Sequence, residues 1–258
     1  MAWAIPHKGI SADGGSGASN TFTLYYSPTG ANTSVSAIAS GNAVVGFVVY
    51  TPSTSGITVS AVDSATNTVQ VPIQIDGTAV SGAGNNVAGF YLQNITNSPT
   101  SITFTASGAN TPSYWRAAYI EVSGMLATSP LDAAPAINAQ PLATTTATDA
   151  VTSAATGVLA TSGELVYGFT WTGAGPSSCT ITQGTNFLTQ NVGTGTSINQ
   201  PCADEVYGPI ATGYASTVSI PATFSTNITG STWITGVMTF KLAPVAAGLP
   251  PGDWIMLV

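Results

Sequence analysis

Cations are nearly missing from this chain. Three basic residues, Lys8, Arg116 and Lys241, and one histidine, His7, occur in 258 residues, and charged residues make up 5% of the total, against roughly 25% in an ordinary soluble domain. Side-chain catalysis draws on titratable groups held in pairs or triads, so their scarcity argues against an enzyme. A serine hydrolase needs a histidine base, and the only one is His7. No G-x-S-x-G elbow accompanies it, since the run Gly14-Gly15-Ser16-Gly17-Ala18 fails at its last position. His7 therefore reads as a surface or arm-packing residue. Neither a zinc ligand set nor a D-x-D-x-D-G calcium loop is present, and the adjoining Asp204 and Glu205 read as a solvated loop. No cofactor and no metal are expected.

Other absences bound the partners. With a net charge of −7 and its three cations scattered, the chain has no basic stripe to neutralise phosphates, so no nucleic-acid partner is expected. The longest strongly apolar run, residues 44–50, is too short to span a bilayer, and no membrane partner is expected. The N-terminus places its charge after its apolar residues and interrupts them with Pro6, which is not the order of a signal peptide. The chain either starts in the cytosol or has lost a leader. Cysteine is scarce too. Cys179 and Cys202 flank a Gly/Thr/Asn-rich loop; a bridge between them would contribute roughly 3 kcal/mol, and two buried thiols packing as small apolar groups are the alternative.

What is present is Ser, Thr, Asn, Gly and Val, a composition of short strands and tight turns. Val69, Val71, Ile73 and Ile75 alternate with polar positions, as a half-buried strand does, and Pro72 places that strand at a sheet edge. Val218, Ile220, Ala222 and Phe224 alternate likewise, and Ile234, Gly236, Met238, Phe240 and Leu242 form one face of another strand. Residues 133–155 are Ala-rich yet broken by Pro135 and Pro141 and loaded with Thr, so no helix is expected there.

The chain also says nearly the same thing twice. NTSVSAIASGNAVVGFVVY (32–50) resembles AVTSAATGVLATSGELVYGFTW (150–171), with Gly46-Phe47 against Gly168-Phe169. GFYLQNITNSPTSITFTASG (89–108) parallels YGPIATGYASTVSIPATFSTN (207–227), and YWRAAYIEVSG (114–124) parallels TWITGVMTFKLA (232–243). The fold expected is all-β, an antiparallel β-sandwich of jelly-roll or immunoglobulin-like type built from two pseudo-repeats, 20–124 and 140–243. Each half could close its own small sandwich, or the two could interleave as one jelly roll. The single sandwich is preferred, because residues 125–148 read as an extended strand crossing between sheets.

Outside the body lie an N-terminal arm, 1–19, containing Trp3 and Ile5 and a Gly/Ser hinge, and a C-terminal arm, 244–258. The latter ends Trp254, Ile255, Met256, Leu257, Val258. Such an apolar end must pack on the body or on a neighbour, and these residues with Trp3 and Ile5 are the expected docking contacts. Glu121 and Glu164 are the carboxylates a glycosidase would need, but they hold unmatched places in the two repeats. Tyr25, Tyr26, Tyr114, Trp115, Trp171 and Trp233 could stack on sugar rings; Trp115 and Trp233 occupy matching repeat positions and read as core.

The strings GNAVVGFVVYTPSTSGITVSAVDSATNTV, GFYLQNITNSPTSITFTASG and WRAAYIEVSGM with PLDAAPA, and TSGELVYGFTW with ITGVMTFKLA, resemble a β-sandwich family of tailed-bacteriophage virion proteins and some bacterial surface proteins. The resemblance covers residues 30–243 and brings no catalytic residues. It implies a non-enzymatic structural protein on the outer surface of a virion, made in the host cytoplasm. The leading expectation is a capsid decoration or cement protein whose partners are the major capsid protein or neighbouring copies. A tail or fibre subunit, or a carbohydrate-binding adhesin with a glycan partner, is the alternative.

Overall fold

The computed structural model describes residues 4–10, 19–26, 36–51, 56–76, 86–107, 111–112, 114–140, 149–172, 181–185, 187, 210–211, 217–226 and 233–244. Among them every regular element is a strand. In the first half these are β1 (Lys8–Ile10), β2 (Thr21–Tyr25), β3 (Ala43–Thr51), β4 (Thr58–Asp63), β5 (Gln70–Ile75), β6 (Asn86–Leu92), β7 (Ser101–Ser107) and β8 (Tyr114–Val122). The second half contributes β9 (Ala136–Gln140), β10 (Asp149–Thr152), β11 (Leu165–Thr172), β12 (Ile181–Gln183), β13 (Ile210–Ala211), β14 (Thr223–Thr226) and β15 (Trp233–Phe240).

Every ladder is antiparallel, and the strands pair outside-in. In the first half β1 joins β8, β2 joins β7 and β3 joins β6. The chain turns back between β4 and β5, where Val62 bridges Thr68. This is the pairing of a long hairpin folded over on itself, the jelly roll. The second half repeats it, β9 with β15, β10 with β14 and β11 with β13. The sheets run β1-β8-β3-β6-β5 and β2-β7-β4 in the first half, and β9-β15-β11-β13 and β10-β14-β12 in the second.

The register tests the repeat residue by residue. In the β3–β8 ladder Gly46 faces Tyr119 and Tyr50 faces Trp115; in β11–β15 Gly168 faces Val237 and Thr172 faces Trp233. Setting Gly46 on Gly168 thus sets Trp115 on Trp233, so both matches hold at once. The halves do not interleave. No ladder among the described strands crosses from the first half to the second, because each half already holds a complete set of pairing partners. The extended segment after Met125, expected to cross between sheets, instead runs along the end of β15 and becomes β9, the edge strand of the second half. The second half therefore begins its strands at Ala136, ahead of residue 140.

The result is four stacked layers with three cores. Phe22, Leu24, Phe90, Phe104 and Trp115 fill the first sandwich, and Leu159, Val166, Ile220, Phe224 and Val237 fill the second. Between them lies a third core made by the two five- and four-stranded inner sheets, with Val45, Phe47, Val87, Ile120, Phe169, Trp171, Met238 and Phe240. Phe47 stacks on Phe169 with ring centroids 4.8 Å apart, and Tyr91 meets Phe240 edge-on at 5.3 Å. A sheet covered on both faces needs strands that are apolar throughout. That is why β3 reads AVVGFVVYT and why all seven residues of β6 are buried.

Edges are closed with side chains. Gln74 turns its amide onto β4, accepting from the Val59 N–H at 2.7 Å and donating to the Val59 carbonyl at 3.0 Å, as a neighbouring strand would. β5 lies at the edge of its sheet, and its register shifts between Gln70 and Ile73, around Pro72, which has no N–H to give to a ladder.

Candidate functional site

Among the described side chains, the outward faces of the two outer sheets are built almost wholly from hydroxyls. In β2-β7-β4 the alternation that buries Phe22, Leu24, Ile102, Phe104 and Val59 and half-buries Ala61 leaves Thr21, Thr23, Tyr25, Thr103, Thr105, Ser107, Thr58, Ser60 and Val62 on the other side, with Ser101 covered at the end of its strand. Cross-strand hydroxyls bond to each other: Thr23 Oγ1 lies 3.1 Å from Thr103 Oγ1, and Thr58 Oγ1 lies 2.5 Å from Ser107 Oγ. The rows repeat at the sheet spacing of about 4.8 Å across strands and about 7 Å along them. None of these side chains is charged. On β10-β14-β12 the exposed Thr182 and Ser225 and the half-buried Thr152 and Thr223 continue the theme.

Of the aromatics considered for stacking, Tyr25 is 40% exposed at a corner of the first hydroxyl face, whereas Tyr26, Trp115, Trp171 and Trp233 are buried. Tyr26 packs edge-on to Tyr119 at 5.0 Å, and burial, then the charges of Asp63 and Glu121, push its hydroxyl well above the usual tyrosine range. Its side chain belongs to the core. Tyr114 lies in β8, and its side chain is outside the described set.

Glu121 and Glu164 fall into separate clusters. Glu121, at the end of β8, is fully buried, and its carboxylate accepts from the Ala39 N–H at 3.1 Å and from Asn42 Nδ2 at 2.5 Å. Its other oxygen pairs with Nδ1 of His7, 114 positions earlier. Nothing in the sequence spacing of His7 and Glu121 joins them. A carboxylate on a histidine Nδ1 is how a catalytic base is oriented, but here the pair fastens chain to chain. The Glu121 N–H donates to the His7 carbonyl at 2.7 Å, Ala4 bridges Ser123, and β1 completes the sheet edge. Ile5 is half-buried against the central core, so this expected docking residue is held by the protein's own body. Replacing Glu121 with alanine removes the acceptor shared by the Ala39 N–H, Asn42 and His7 and is expected to cost about 1–3 kcal/mol. The first sign should be accelerated amide exchange across Lys8, Gly9 and Ile10, read by hydrogen-exchange mass spectrometry.

Glu164, immediately before β11, lies beside Asp132 and accepts from the N–H and hydroxyl of Thr161 at 3.1 and 2.7 Å. A groove of about 290 Å³ beside β14 is lined by Phe187, Val218, Ile220 and Pro221 with Thr185 and Thr223; no titratable side chain lines it. Among the described residues no three His, Cys, Asp or Glu side chains gather as a metal site would require. Trp3, Trp254, Ile255, Met256, Leu257 and Val258, the pair Cys179 and Cys202, and Asp204 with Glu205 lie outside the described residues.

No protein-family model, no curated protein and no solved structure matches this chain.

Proposed function

We propose that this chain is a non-enzymatic assembly protein that works through its outer hydroxyl faces and its C-terminal arm, as a decoration or cement protein on the outer surface of a bacteriophage virion. The observation that carries the reading is the uncharged Ser/Thr face of β2-β7-β4 on a protein of net charge −7. Fixing a Lys or Glu side chain at a contact costs up to roughly 2 kcal/mol of rotamer entropy, and Ser or Thr much less. Such a face can be covered at small penalty, and natural interfaces are depleted in Lys, Glu and Asp for the same reason. The tandem jelly roll supports it by fold analogy, since jelly rolls recur in viral capsid and lectin domains.

Charge placed on the face tests the reading. Thr21→Lys with Ser60→Lys, both exposed on this face, should change folding stability by less than about 1 kcal/mol, as exposed substitutions do. Occupancy on purified capsids, read by co-sedimentation, should fall at least tenfold. Undiminished occupancy would overturn the role of this face, and absence of the wild-type protein from purified particles would overturn the virion reading. A glycan-binding adhesin is the second reading, favoured by the exposure of Tyr25 beside that face. It requires binding on a glycan array that Tyr25→Ala abolishes.

A further inference from the structure

The segment joining the two jelly rolls is laced to the end of β15. Leu126 N–H donates to the Lys241 carbonyl at 2.9 Å, Lys241 N–H to the Pro130 carbonyl at 2.7 Å, and Asp132 N–H to the Thr239 carbonyl at 3.0 Å. At the far end of this lacing Asp132 meets Glu164. Asp132 Oδ2 accepts from the Ala160 N–H at 2.6 Å, and its Oδ1 lies 3.6 Å from Lys241 Nζ. The Asp132 and Glu164 side chains are 3% and about 1% exposed respectively, that of Lys241 27%.

Three of the four carboxyl oxygens are thereby matched. The fourth, Glu164 Oε2, is buried with no donor on it, and the Asp132 carboxyl lies close enough to act on this side chain. Two acceptor groups can bond only through a proton between them. Among the described residues the charged groups facing the pair are Lys241, just after β15, and the two carboxyls themselves, one from the joining segment and one just before β11; Thr161 adds hydroxyl and amide donors without charge. One cation balances one carboxylate, so full ionisation leaves an anion in a buried place without a counter-charge.

We propose that Asp132 and Glu164 form a proton-operated clasp that holds the joining segment to the second jelly roll, closed when the pair shares one proton and loosened when both carboxyls ionise. Burial, and next the hydrogen bond and charge of Asp132, push Glu164 up to about 7 from an ordinary 4.5. For Asp132 burial works upward but is outweighed by hydrogen bonds from Glu164 and Ala160 and by Lys241, which hold it below its ordinary 3.8. Between pH 4.5 and 7 the folded protein therefore keeps a proton on Glu164 that the unfolded chain releases. Glu164's contribution is whole below about pH 4.5 and is lost as pH rises through 7. Asp132 contributes above its ordinary value and is lost on acidification, so the clasp is firmest near pH 4–5.

Urea unfolding at pH 5 and pH 8 reads the effect. The folding equilibrium constant of the wild type should fall on the order of a hundredfold between the two. Glu164→Gln, which keeps the shape and removes the titration, should lose most of that dependence. Amide exchange at Leu126, Asp132 and Ala160, corrected for the intrinsic effect of pH, should quicken at pH 8 in the wild type alone. Equal corrected exchange at both pH values, or the same pH slope in the variant, would overturn the clasp. A carboxyl-carbon NMR titration of the wild type needs no variant. One glutamate should titrate near neutrality, and a set of ten carboxyls all titrating below about pH 5 would overturn the proposal.

Discussion

Replacing Phe169 with alanine is expected to lower the free energy of unfolding by about 3–5 kcal/mol. Its ring is fully buried, stacked on Phe47 at 4.8 Å with an interplanar angle of 17°, and it lies across Gly236 on the neighbouring strand. The truncation opens a cavity where the two inner sheets meet, and both sheets are braced from behind by their own sandwich cores, so collapse into the void is resisted. At this chain length the loss corresponds to about 6–20 °C in Tm. Phe47→Ala should couple to it by about 0.5–1.5 kcal/mol in a double-mutant cycle. Urea titration of the four proteins measures both. A loss below 1 kcal/mol would mean that the two jelly rolls are not packed through these sheets.

Gly46→Val is expected to cost more than about 3 kcal/mol, above the usual range for overpacking. A Cβ at Gly46 would stand 2.3 Å from the Ala118 carbonyl oxygen and 2.5 Å from Cζ of Phe90. A flexible side-chain tip can retreat, but Ala118 belongs to the adjacent β8, and moving its backbone parts the ladder between β3 and β8. Gly41 makes the control. It has φ of +83° with open space around its Cβ direction, so Gly41→Ala costs only its backbone strain, about 1 kcal/mol. Soluble yield and near-ultraviolet circular dichroism should separate the two substitutions. Equal behaviour would deny the close approach at Gly46.

Most of the fold could be read from residues. The Gly-Phe pairs and the two tryptophans marked the duplication, and the register of both ladders places them as equivalents. Pro72 marked an edge strand, and β5 is one. The number of layers was not legible. A strand such as β3, apolar at every position, announces burial on both faces without saying what covers each. Here one cover is the strand's own sandwich and the other is the duplicate. The hydroxyl face of β2-β7-β4 was visible only as composition, because Thr and Ser at alternate positions become a surface once three strands align. The two carboxylate clusters were harder still. His7 with Glu121, and Asp132 with Glu164, come together through the pairing of β1 with β8 and the lacing of the joining segment to β15, and no local spacing encodes either.

The pairing of the first strand with the last sets a timetable for synthesis. His7 meets Glu121 across 114 positions, and at about 5–20 residues per second a ribosome takes roughly 6–23 s to cover that distance. Throughout that interval the first inner sheet lacks β8, its connection between β1 and β3, and presents raw edges to whatever is nearby. Once Val122 has emerged the first jelly roll can close, and the apolar free face of its inner sheet then waits for the second to be made. The nascent chain thus passes two sticky stages in sequence. Slowing translation within the first 120 or so codons should raise aggregation more than slowing it later, because the first jelly roll by then shields its own strands.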